Sequence, residues 1–111
     1  MYRKAITLTA TVAAGGTESG ELELRDYQSI GISTPAVLTS TAITCKVSAV
    51  KGGTKLPLYD SENNLVSLTV TTARAYGVTG AEADALAPWN FVSLVCGSAE
   101  AAGAAISVVL K

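Results

Sequence analysis

Few residues of this 111-residue chain are equipped for chemistry, and their types limit what that chemistry can be. Histidine is absent altogether. This removes the commonest general base and the commonest metal ligand, so triads built on imidazole and His-ligated metal centres are excluded. The two thiols, Cys45 and Cys96, belong to no CxxC pair and sit in the strand-like runs "ITCKVSAV" and "FVSLVCG". Thiols in apolar strand interiors are inert as nucleophiles. Buried free thiols are the default expectation for them, a bridge between core strands the alternative.

Carboxylates recur at a spacing of two: Glu21 with Glu23, Asp60 with Glu62, and Glu82 with Asp84. On a strand that spacing puts both groups on one face, as a glycosidase pair or a calcium site would need. Sugar-cleaving clefts are lined by aromatic rings, however, and the one Trp, four Tyr and one Phe of this chain are too few to line one. "DSENN" carries oxygen ligands but lacks the ordered spacing of a calcium loop. We read these acids as turn and surface groups and expect neither an enzyme, a metal nor a cofactor. Glycines stand singly or in pairs without a phosphate-cradle pattern. Trp89, between Pro88 and Phe91, is either a ligand platform or the plug of one end of a small core.

The elements that hold these residues follow from period-two alternation and a wealth of Val, Ile, Thr and Leu. In Ala5 to Val12, Ile6, Leu8, Ala10 and Val12 share one side and Thr7, Thr9 and Thr11 the other, which is a strand and not a signal-peptide core. "ELELRDYQSIGIS" reads as two strands or one bent strand with Leu22, Leu24, Ile30 and Ile32 inward. "PAVLTSTA" is a loop or a short edge segment. Ile43, Cys45, Val47 and Ala49 form the inward face of the clearest strand, before Gly52 and Gly53 turn the chain. Leu56 and Leu58 anchor the next short strand. "LVSLTVTTARAYGV" continues as an alternating run with a break expected near Gly77 and Gly80. "GAEADALAPW" is one or two helical turns or a simple connection. "NFVSLVCG" and "AAISVVLK" complete about eight short strands.

The expectation is an all-β, single β-sandwich or jelly-roll-like domain over residues 1–111, with the first and last strands close together. Eight basic and nine acidic residues leave a net charge of −1, scattered singly, so neither nucleic acid nor membrane is expected as a partner. No apolar run is long enough for a membrane-spanning helix. The local exception in charge is Arg3 and Lys4 beside Tyr2, either a solvated terminus or a docking arm.

The segment "GISTPAVLTSTAITCKVSAVKGGTKLPLYDSENNLVSLTV" resembles a group of small tailed-bacteriophage proteins encoded among virion structural genes, and the similarity extends over residues 17 to 110. It departs from their pattern in lacking an aromatic in the proline segment and an acidic residue before the turn glycine. The resemblance implies a non-enzymatic virion structural protein, foremost a capsid decoration or cement protein on the outside of the shell, made in the host cytoplasm. Its partners would be the major capsid protein or other virion proteins and further copies of itself, a trimer matching local shell symmetry. Tyr2, Arg3, Lys4, Lys51, Lys55 and Trp89 are the expected assembly contacts. A tail, collar or fibre-associated component is one alternative. A carbohydrate-binding β-sandwich using Tyr59, Tyr76 and Trp89 is another.

Overall fold

The computed structural model describes residues 5–24 and 27–111. Nine strands and one short helix follow one another as β1 (Ile6–Val12), β2 (Leu22–Glu23), β3 (Ile30–Ser33), β4 (Ala42–Ser48), β5 (Leu56–Pro57), β6 (Ser67–Thr69), β7 (Ala75–Val78), α1 (Gly80–Leu86), β8 (Phe91–Cys96) and β9 (Ala104–Leu110). They build two antiparallel sheets. One has the order β1-β9-β3-β7; the other runs β2-β8-β4-β5, with β6 also paired to β4. Taken together, β5 and β6 edge β4 at its two ends, against Lys46–Val47 and Ala42–Thr44 respectively. The chain changes sheet at almost every connection, which is jelly-roll connectivity.

Alternation decides which side of each strand is buried. Ile43, Cys45 and Val47 of β4 and Val92, Leu94 and Cys96 of β8 face Ala10, Val12, Ile30, Ile32, Ile106, Val108 and Leu110 of the other sheet, and all belong to one buried cluster. The first and last strands do lie together, paired in register from Ile6 opposite Leu110 to Val12 opposite Ala104. Leu86 of α1 is buried in the same core cluster as Leu22, Leu24, Ile30 and Val78 and lines a small cavity with them, so α1 covers this part of the core. Trp89 is only half-buried and packs on the outside of that cluster. The plug here is Leu86.

Four local expectations are corrected. Ala49 is exposed, because β4 ends at Ser48, whose hydroxyl turns in to donate to the Val50 carbonyl at 2.7 Å. Leu58 anchors the hairpin as expected, but Leu56 is 66 % exposed near its tip, where the core ends. Ile6, on the expected inward side, is 41 % exposed at the start of β1. The run from Leu65 to Val78 does end between Gly77 and Gly80, where Gly80 opens α1 at a φ of 62°, but it breaks earlier as well, at Ala73, which takes a φ of 52°. The buried Thr34 hydroxyl holds that corner, donating to the Thr71 carbonyl at 2.6 Å and accepting from the Arg74 N–H at 3.0 Å. There the chain leaves one sheet for the other. Cys45 and Cys96 are free and buried. The proline segment is a loop.

Candidate functional site

The hairpin from Ser48 to Tyr59 and the residues after α1 approach each other at one end of the sandwich. Glycine and lysine build the tip: the Gly53 N–H closes the turn on the Val50 carbonyl at 3.0 Å. Glu21 then clamps it from the neighbouring edge. Its Oε1 accepts from Lys55 Nζ at 2.6 Å and from the Gly52 N–H at 2.9 Å. The Lys55 hydrogen bond first, and the Gly52 N–H second, hold the Glu21 carboxyl below its ordinary pKa. With the turn fixed, Val47, Val50, Leu56, Pro57, Leu58 and Tyr59 line a groove of about 330 Å³ whose far wall includes Trp89. Val50 and Leu56 are each 66 % exposed and Tyr59 49 %. Three large apolar groups are thus exposed on one surface beside the groove.

The expected contact residues fall into three groups. Tyr2, Arg3 and Lys4 lie outside the described residues. Lys51 is exposed at the hairpin tip and Trp89 lines the groove, so two segments far apart in sequence meet in one surface. Lys55 is instead tied down, its side chain only 13 % exposed in the ion pair with Glu21. Its role here is to shape the hairpin. Val50, Leu56 and Tyr59 are the exposed large apolar residues of the groove, and Val50 and Leu56 were not among the expected contacts. Their signal is present in the sequence, as large apolar residues immediately beside a Gly-Gly turn.

Asp60 Oδ1 accepts from the N–H groups of Glu62 and Asn64, both at 2.9 Å, and is used to build its own turn. Asp60, Glu62 and Asp84 share an open cleft with Ser61, Ala81 and Ala85. Among the described residues no three acidic or thiol groups are arranged to hold a metal ion. Tyr76, on β7, accepts the Thr71 N–H at 2.7 Å and takes no part in lining the groove. No helix among the described residues is long and apolar enough to cross a membrane.

No protein-family model matches the chain, and no curated protein sequence does. Among solved structures, the chain is similar in fold to the SPBc2 prophage-derived protein YomS, with a TM-score of 0.55 at 13 % identity over 99 % of this chain and 96 % of that one. A structure of Bacillus endospore appendages, described as disulfide-linked pili, aligns with 97 % of this chain and 85 % of its own, at 14 % identity and a TM-score of 0.36.

Proposed function

We propose that the chain is a non-enzymatic bacteriophage virion structural protein, acting as a decoration or cement subunit on the outer face of the capsid. The observation that carries this reading is the exposed apolar surface of Val50, Leu56 and Tyr59 around the Trp89 groove, with Lys51 exposed in the adjoining turn. A hairpin that carries three exposed large apolar residues, Val50, Leu56 and Tyr59, and whose tip is clamped by Glu21, is suited to binding by shape. Repetition then multiplies a modest contact, because equivalent sites on a shell are engaged by many copies. The prophage origin of YomS, whose fold the chain shares along nearly its whole length, supports a phage setting.

The test is co-sedimentation of the purified chain with emptied capsids of the phage that encodes it, followed by cryo-EM of the decorated particle. Regular density on the capsid exterior with the 50–59 hairpin and Trp89 at the contact is the expected result. Val50→Ser with Leu56→Ser should abolish co-sedimentation while leaving the far-UV spectrum unchanged. Density confined to the neck or tail would move the protein to a connector. Tyr59 and Trp89 share the groove wall, so glycan-array binding lost in Trp89→Ala, with no capsid binding, would replace assembly with sugar recognition.

A further inference from the structure

The four sheet edges of this sandwich are treated very differently. The edge beyond β8 is covered by the irregular segment 17–24, which carries Glu18, Glu21 and Glu23 and is broken at Gly20. On the opposite edge of that sheet, β5 and β6 are two and three residues long, and β5 contains Pro57. In the other sheet, β7 is four residues long, follows Arg74 and contains Gly77. Short strands, charge, proline and interruption are the devices by which proteins keep sheet edges from pairing with other chains. β1 has none of them. It is seven residues long and regular, and from Ala5 to Ala14 there is no charge, glycine or proline.

The register shows which backbone groups that edge presents. Lys111 exchanges hydrogen bonds with Ser29, its N–H to the Ser29 carbonyl at 3.0 Å and its carbonyl from the Ser29 N–H at 2.9 Å. In an antiparallel ladder bonded and unbonded pairs alternate, so the odd-numbered residues of β9 bond towards β3 and the even-numbered ones towards β1. The partners in β1 are therefore Ile6, Leu8, Ala10 and Val12, opposite Leu110, Val108, Ile106 and Ala104. Thr7, Thr9 and Thr11 turn their N–H and C=O groups outward, away from β9. All three are exposed, and no strand among the described residues pairs with β1 on that outward side.

We propose that this edge is a self-association surface, where β1 of a second copy adds antiparallel across a twofold axis at Thr9. The sequence suits self-pairing: Thr9 faces Thr9 of the second copy, and Thr7 faces Thr11 on either side. These are the positions whose backbone groups point outward, so roughly six interchain hydrogen bonds form without any shift of register. No like charges meet, and threonine opposite threonine is a favourable cross-strand pair. The two β1-β9-β3-β7 sheets merge into one. This leaves the Trp89 groove, which belongs to the other sheet and the segment after α1, free for its own partner, so the inference stands independently of the capsid reading.

Sedimentation velocity on the full chain at tens of micromolar tests it, with a species of twice the 11.3 kDa chain mass as the expected result. Thr9→Pro removes only the outward N–H of an edge strand and should convert the dimer to monomer without loss of β-structure. Thr9→Lys sets charge against charge at the axis and should do the same, so a folding failure of the proline variant leaves the question decidable. In the pair at the axis the Cα atoms lie about 5.5 Å apart, within disulfide reach, whereas Thr7 and Thr7 of the second copy are about 14 Å apart. Thr9→Cys should therefore cross-link into a dimer on mild oxidation and Thr7→Cys should not. A monomeric wild-type chain, an oligomer untouched by Thr9→Lys, or equal cross-linking at positions 7 and 9 would each overturn the proposal.

Discussion

The carboxylate of Glu100 and the hydroxyl of Ser40 stand 2.6 Å apart although 60 positions separate them in sequence, and both residues are almost completely buried. Glu100 also accepts the N–H groups of Thr39 at 2.7 Å and Ser40 at 2.8 Å. Its own backbone is bonded to the first turn, N–H to the Gly16 carbonyl at 2.9 Å and carbonyl from the Gly15 N–H at 2.7 Å. One residue thus ties together the proline loop, through its side chain, and the turn after β1, through its backbone, with the loop before β9.

Removing that carboxylate should be costly. Glu100→Ala leaves the buried Ser40 N–H and the partly buried Thr39 N–H without their acceptor, while the Ser40 hydroxyl keeps the Ser98 carbonyl, and we expect a loss of about 1–3 kcal/mol, read as a lower urea midpoint at constant slope. The pH dependence follows from the same contacts. Burial by itself raises the Glu100 pKa, but the bonds from the Ser40 hydroxyl and the Thr39 and Ser40 N–H groups outweigh it and hold the carboxyl below its ordinary 4.5. A depressed folded-state pKa means that the stabilisation is complete above about pH 4.5 and is lost as the pH falls through the lower folded value. Glu100→Gln should flatten this part of the acid-unfolding profile. An unchanged profile would show that the carboxylate is not ionised in the fold.

Gly103 and Gly15 both have positive φ, at 77° and 80°, yet alanine should be tolerated unequally at the two positions. A Cβ at Gly103 would come within 2.9 Å of the Val12 carbonyl oxygen, whereas at Gly15 it would meet nothing within 4 Å. Gly15→Ala carries only the backbone strain, about 1–2 kcal/mol. Gly103→Ala adds a steric conflict with β1 and should cost about 1–2 kcal/mol more. Thermal unfolding of the two variants side by side gives the answer, and equal midpoints would contradict the packing described for this end.

The thiols should be silent until the fold opens. Burial pushes the Cys45 pKa up to about 11. Burial also raises that of Cys96, with the Ser40 hydroxyl opposing and Glu100 adding to the rise. With the thiolate suppressed and the sulfurs covered, Ellman's reagent at pH 8 should react at least about a hundredfold more slowly with the native chain than in guanidinium. Rapid native labelling of either thiol would require an opening at β4 or β8 that the structure does not contain.

Local periodicity made much of this protein legible. Val12, Leu22, Leu24, Ile30, Ile32, Ile43 and Cys45 were readable as inward because alternation along a strand is fixed by the backbone itself, and the absence of histidine closed off whole classes of chemistry. The same alternation misassigned Ala49 and Leu56, because it does not say where a strand ends or where the opposite layer stops covering it. Ala73 escaped notice because a positive φ at alanine is imposed by the Thr34 corner and not preferred by the residue.

The pairing of segments is what only the tertiary structure decided. Nothing within a few residues of Glu100 hints at Ser40. The meeting of Trp89 with the 48–59 hairpin, and the open edge of β1 beside three blunted ones, likewise depend on strand order. Sequence determines which face of each strand is apolar through short-range geometry. Which strands become neighbours is settled by the joint burial of all those faces, a property of the whole chain.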